Sequence, residues 1–155
     1  MRKMRRAMPS VEGRTLGDLP DVNVWIALLN PQHTHHERAK QYWERSAAQS
    51  IGLCRTTMLG LLRLCTNKAV MGGTPYTSEQ AWTAYQSLID LPEVVFFAEP
   101  LGIDAAMRRH CAHPLFRTAD WTDAYLATFA QQARLRMVSF DKGFARYADL
   151  ALLSL

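Results

Sequence analysis

Three aspartates stand in settings from which carboxylate chemistry can be built. Asp21 comes directly after the short run at residues 16–20, and a helix-compatible apolar stretch, residues 22–29, begins at once. Asp123 sits in Thr122-Asp123-Ala124-Tyr125-Leu126-Ala127, and Asp141 in Ser139-Phe140-Asp141-Lys142-Gly143-Phe144. In an open α/β sheet, reacting groups gather where strands end and helices start, because the loops at the strands' carboxyl ends form the crevice. Carboxylates packed together there raise one another's pKa. A divalent cation relieves that repulsion, and hard oxygen ligands of this kind select Mg²⁺ or Mn²⁺ rather than zinc. Such an ion can turn water into a nucleophile and stabilise charge on a phosphoryl oxygen. The reaction class would be phosphodiester hydrolysis. Spacing alone leaves this open, since a chain with 14 acids will often place three plausibly.

The elements that must position these acids read as alternating strands and helices. Residues 15–19 are a strand candidate, with Pro20 as its last residue because proline cannot donate to a sheet ladder. Residues 22–29 form a first helix, ended by Asn30-Pro31. Thr34 is placed to cap a second helix, with Glu37 as capping-box partner, that runs to about Ala48 with Ala39, Tyr42 and Trp43 on its apolar face. Residues 50–53 are a second strand. Thr56 or Thr57 then opens a helix with Leu61, Leu62, Leu64 and Cys65 facing inward. After the Gly72-Gly73-Thr74-Pro75 loop, Ser78 caps a helix with Ala81, Trp82, Tyr85, Leu88 and Ile89 at helical spacing. Residues 94–97 are a third strand and 103–111 a short helix. Asp120 opens a helix with Tyr125, Leu126, Phe129 and Ala130 on its apolar side. Residues 137–140 are a fourth strand, and 150–153 a last one. This alternation predicts an α/β fold, a parallel sheet with helices on both faces. A doubly wound sheet would bring Asp21, Asp123 and Asp141 to one end.

The totals set bounds. The chain has 155 residues, 48% hydrophobic and 21% charged, which suits one globular domain. No apolar run reaches the roughly 18 residues of a membrane span, and no apolar block follows the basic start. The net charge is +4, yet Arg2, Lys3, Arg5 and Arg6 equal the whole excess. Residues 1–14 therefore read as a flexible basic leader, and 15–155 as an electrically balanced domain. Cys54, Cys65 and Cys111 are odd in number and widely spaced, which predicts free thiols in a reducing, cytoplasmic setting.

The motifs together resemble a known family. Leu19-Pro20-Asp21-Val22-Asn23-Val24 with Ala27-Leu28 resembles the opening of a PIN-domain nuclease. Thr122-Asp123-Ala124-Tyr125-Leu126-Ala127 is similar to the helix with that family's third acid, and Ser139-Phe140-Asp141-Lys142-Gly143-Phe144 to the segment with its last. Leu61-Leu62-Arg63-Leu64-Cys65-Thr66-Asn67 resembles its middle helix. The likeness runs in the family's order from about residue 16 onward and points to the VapC-type toxins of toxin–antitoxin pairs. It implies a three-layer α/β/α PIN-like fold with a central parallel sheet of four to five strands. It also implies an endoribonuclease dependent on Mg²⁺ (or Mn²⁺), with Asp21, Asp123 and Asp141 as metal ligands and catalytic residues. The implied partners are a structured RNA of the tRNA or rRNA class, a cognate antitoxin and a second copy of the chain, with no membrane.

The sequence departs from the family at one place. A Glu usually precedes the Leu-Arg-Leu stretch, and Met58 stands there. A thioether is a poor ligand for Mg²⁺. Asp120, three residues before Asp123 on the same helix face, is the candidate replacement; its plainer role is an N-cap on the amide of Asp123. Asn23 and Thr57 are further candidates, each with a plain role in a helix's first turn. The departure keeps a second function open: a weakened PIN domain that binds RNA or antitoxin without cutting. A phosphatase of the haloacid dehalogenase type also begins with a strand and an acid, but it resembles Asp-x-Asp where this chain has Asp21-Val22-Asn23.

The remaining residues favour structural roles. His33, His35 and His36 crowd a turn, and His110-Cys111-Ala112-His113 is too cramped for one tetrahedral zinc. Arg55, Arg63, Arg117 and Lys142 could meet RNA phosphate if they line the crevice. Trp25, Trp43, Trp82 and Trp121 read as core, although Trp121 abuts the acids and could stack a base.

Overall fold

A computed structural model of the chain describes residues 15–155, so the leader lies outside the described residues. Five strands form one sheet: β1 (Gly17–Pro20), β2 (Ile51–Leu53), β3 (Val94–Phe96), β4 (Leu135–Ser139) and β5 (Leu152–Ser154). Their order is β3-β2-β1-β4-β5, and every pair is parallel. The chain steps from β1 outward to β3, then returns to place β4 on the other side of β1. The winding therefore reverses between β1 and β4, which is where an open α/β sheet forms its crevice.

Six helices cover the sheet: α1 (Val22–Leu29), α2 (His36–Arg45), α3 (Arg55–Cys65), α4 (Ser78–Ile89), α5 (Ile103–Cys111) and α6 (Trp121–Gln132). Side chains alternate across the central strands, as the pleat requires. Leu19 and Met137 pack with Ala124, Phe129 and Ile103 of α5 and α6. Val138 packs on the opposite face with Val24 of α1 and Tyr42 of α2. Trp25 and Ile26 of α1 join Leu61 of α3 and Ala81 of α4 over β2 and β3. The result is the expected three-layer α/β/α arrangement.

The same alternation turns Asp18 of β1 toward α2, where it is fully buried. Arg136, its register partner in β4, grips it with two bonds of 2.8 Å. The Tyr42 hydroxyl (2.8 Å) and the Ala48 amide (2.9 Å) donate to the same carboxylate. This tie locks β1, β4 and the end of α2 together. It also explains why α2 stops at Arg45, short of the expected Ala48, whose amide serves Asp18 instead of the helix.

Other boundaries differ from the sequence expectation for local reasons. His35, not Thr34, is the cap residue of α2, because the turn before it closes through the His35 amide on the His33 ring at 3.1 Å. Helix α3 opens at Arg55 behind Cys54, and Thr57 bonds back to the Cys54 backbone. Thr77 rather than Ser78 caps α4, since its partner Gln80 lies three residues on. Trp25 is core, but Trp82 and Trp121 are 52% and 54% exposed, so the expectation that all four tryptophans are core does not hold. No helix among the described residues is long and apolar enough to cross a membrane.

Candidate active site

Asp21 closes β1 and opens α1 at the winding reversal. Its backbone N–H bonds Val138 O of β4, which fixes the chain as it leaves the sheet. Its carboxylate accepts the Val22 amide at 2.7 Å, the Asn23 side-chain amide at 2.9 Å and the Ser139 hydroxyl at 3.0 Å. Ser139, the last residue of β4, also accepts the Asp141 amide at 2.9 Å. One buried hydroxyl therefore ties the acid after β1 to the acid after β4. Asn23 reaches Ser139 as well, at 3.1 Å, which makes it a brace between the two strand ends.

Opposing effects act on the Asp21 proton. The helix N-terminus and the hydrogen bonds favour the anion. Burial outweighs them, with Asp123 and Asp141 adding like charge, and the pKa is pushed up to about 6. Burial and Asp141 also push Asp123 up, against the pull of Arg146. Asp21 thus feels Asp123 and Asp141 as like charges, and Asp123 feels Asp141. Asp141 is exposed, with its carboxylate on the Gly143 amide at 2.7 Å.

Asp120 behaves differently. Its carboxylate is buried and accepts the Arg117 backbone N–H at 2.8 Å and the Arg117 guanidinium at 2.9 Å, and it pairs with Arg146 at 3.1 Å. These bonds hold its pKa down to about 2. The expected cap on the Asp123 amide is not made. Both carboxylate oxygens are instead taken by Arg117 and Arg146, whose guanidiniums bring full positive charges that a single backbone amide does not. Arg146 reaches on to Asp123 at 3.4 Å, so it bridges both acids at the start of α6.

Met58 is 4% exposed and belongs to the core cluster with Trp25 and Leu61. Thr57 is buried and spent on capping. Arg55 lies over the Phe96 ring at 4.7 Å, while Arg63 and Lys142 are exposed. The histidines make ordinary contacts: His36 with Ala27 O at 2.7 Å, His35 stacked on Phe140, and His110 with Gln131 at 2.8 Å. All three cysteines are free. Sequence reasoning singles out neither Ser139 nor Arg146. Ser139 carried one usable signal, a polar residue ending an apolar strand just before an acid.

The donor set suits a hard divalent cation. It offers carboxylate oxygens only, and Asp21 is buried beside two like charges with no cation paired to it among the described residues. Among those residues, no three acidic, histidine or cysteine side chains already close around one point. The set is open, and an ion would have to draw it together.

A family model described as "PIN domain" matches residues 19–150, most of the chain, including Asp21, Asp120, Asp123 and Asp141. The chain belongs to the PIN-domain family. Ribonuclease VapC41 of Mycobacterium tuberculosis is 35% identical over 139 residues, covering 86% of this chain and 95% of that protein. VapC ribonuclease Mb2897 of Mycobacterium bovis is 27% identical over 132 residues, covering 84% and 89%. Two solved structures share the fold at low identity. VapC20 of M. tuberculosis, described as a Sarcin-Ricin loop cleaving toxin, has a TM-score of 0.64 at 15% identity, covering 86% of this chain and 96% of that one. VapBC2 of Rickettsia felis, bound to a DNA fragment from their promoter, has 0.61 at 13%, covering 88% and 97%. In this PIN domain Asp21 follows β1, Asp141 follows β4 and Asp123 lies in the first turn of α6, while Met58 is buried in the core.

Proposed function

We propose that this PIN domain is an endoribonuclease toxin, dependent on Mg²⁺ or Mn²⁺, that hydrolyses RNA phosphodiester bonds. The observation that carries the proposal is the buried Asp21 carboxylate, braced by Asn23 and Ser139 against Asp123 and Asp141. In this reading Asp21, Asp123 and Asp141 hold the ion. When bound, the ion supplies an acidified water and positive charge for the phosphoryl oxygens. Ser139 and Asn23 fix Asp21, so its oxygens need no reorganisation as charge develops. Asp120 stays ionised between Arg117 and Arg146, and it orients those two guanidiniums at the mouth of the crevice. The exposed Arg117 and Lys142 are then placed to take RNA phosphate.

The relatives named ribonucleases support RNA as the substrate, and VapC20 is described as cleaving the Sarcin-Ricin loop, which favours structured RNA of the rRNA or tRNA class. The VapBC structure supports a cognate antitoxin as partner. An antitoxin segment presenting an arginine would match the acidic crevice. A homodimer and a cytoplasmic setting belong to the same reading.

The test is RNA cleavage with Mg²⁺ by the wild type and by Asp21→Asn. The variant is expected to lose roughly 100-fold or more in rate, as when one preorganised group is removed from a charge-stabilising site. Cleavage at the wild-type rate would sink the proposal. The burial of Met58 favours a second reading, a PIN domain that binds RNA or antitoxin without cutting. An inactive wild type that still binds RNA would select it.

A further inference from the structure

Beside the acids lies an open hollow that the proposed chemistry does not use. One wall is a single stripe of α5: Asp104, Met107, Arg108 and Cys111, spaced as one helix face. The other wall is Trp121, the first residue of α6. The hollow measures about 410 Å³, within the range of small-ligand sites. Trp121 is 54% exposed, yet its ring does not swing freely. The Phe116 ring meets it edge-on with centroids 4.8 Å apart, which fixes the indole with one part toward solvent.

The walls are matched to a flat, partly polar guest. The indole offers a stacking face, and Met107 offers a soft apolar floor. Arg108 is exposed and has no carboxylate partner among the described residues. It can donate to a base edge or to a phosphate. Asp104 would repel a phosphate placed inside the hollow, but it can accept from the exocyclic amine of a base. The hollow is joined to the acids through the chain, because its Trp121 wall stands between Asp120 and Asp123 at the start of α6. Trp121 follows Asp120 directly, and Arg117 on Asp120 has a side chain 70% exposed. A strand with one phosphate at the acids would pass Arg117 and bring a neighbouring nucleotide over Trp121.

We propose that this hollow holds one unpaired nucleobase of the RNA substrate, stacked on Trp121 with its amino edge toward Asp104. The inference rests on the ribonuclease reading and adds a subsite to it. A stacked base is recognised by its π-face, so the subsite selects single-stranded loops over paired helices. An exocyclic amine makes adenine, cytosine or guanine better guests than uracil.

The experiment measures binding of fluorescein-labelled single-stranded RNA by anisotropy, on the full chain with cleavage silenced by Asp141→Asn. Trp121→Ala in that background should weaken binding by roughly 5- to 150-fold, the worth of one stacked base. Trp121→Phe should recover most of it, and an all-uridine oligomer should show the smaller dependence on Trp121. Thermal melts and sedimentation run on the same samples. Equal affinity with and without Trp121 would overturn the subsite while leaving the ribonuclease reading intact. A Trp121→Ala variant that changes self-association and not RNA affinity would also overturn it, and would make the hollow a contact between copies. A silenced parent that binds no single-stranded RNA would overturn the subsite, while cleavage by the wild type decides the ribonuclease reading separately.

Discussion

Asp21 is expected to be a costly residue for the metal-free protein. Its folded pKa, about 6, lies above the ordinary 3.8, so the folded chain holds a proton that the unfolded chain releases. The associated stability is present below pH 3.8 and is lost as pH rises through 6. Asp21→Asn removes the penalty while keeping an acceptor for the Val22 amide. We expect that variant to gain up to about 3 kcal/mol over wild type at pH 7.5 without metal, with the gain gone at pH 4. Urea titrations at the two pH values check this, and a variant less stable at pH 7.5 would contradict it. Asp120 has the opposite sign. Its pKa is depressed to about 2 by Arg117 and Arg146, so its contribution is present above 3.8 and fades as pH falls toward 2. Met58→Glu tests whether position 58 belongs to the site. A carboxylate at this buried position should lower the melting temperature in EDTA, and added Mn²⁺ should restore it if the side chain can join the acids. A melting temperature indifferent to Mn²⁺ would place position 58 outside the site.

The clearest prediction at the scale of elements concerns the Asp18–Arg136 tie between β1, β4 and α2. Asp18→Ala takes the carboxylate from the half-buried Arg136 guanidinium, which keeps only Ser46 O, and leaves the buried Tyr42 hydroxyl without its acceptor. We expect a loss of about 2–3 kcal/mol in chemical denaturation, the cost of hydrogen bonds lost to a charged group where the arginine keeps part of its hydration. A loss under 1 kcal/mol would show that the tie is not holding the strands. Nothing near Asp18 in the sequence announces this role, because its main partner lies 118 residues away. Arg146 was hidden for the same reason: its pairing with Asp120 and Asp123 depends on the turn after β4 meeting the start of α6. What local chemistry decides was legible. Asn30-Pro31 ends α1, and α5 spans residues 103–111 as its pattern suggests. Where two cap residues adjoin, as Thr77 and Ser78 do, the Gln80 partner decided, and that signal was in the sequence. Trp82 and Trp121 misled because helical spacing does not say which face the sheet will take.

At the scale of the molecule, the return of β4 to the far side of β1 creates the site. That reversal sets Asp21 and Asp141 just past the ends of adjacent strands, linked through Ser139, and α6 carries Asp123 in its first turn. The strand–helix alternation was readable, but the strand order was not, since parallel pairing is set by crossovers and not by any local motif. The family likeness carried that step, and the match over residues 19–150 agrees with it. The central claim is that the three acids form one cation site. The most direct measurement is a calorimetric titration of Mn²⁺ into the wild type and into Asp141→Asn. The account predicts saturable binding by the wild type that disappears in the variant. Equal binding by both proteins, or none by the wild type, would contradict it.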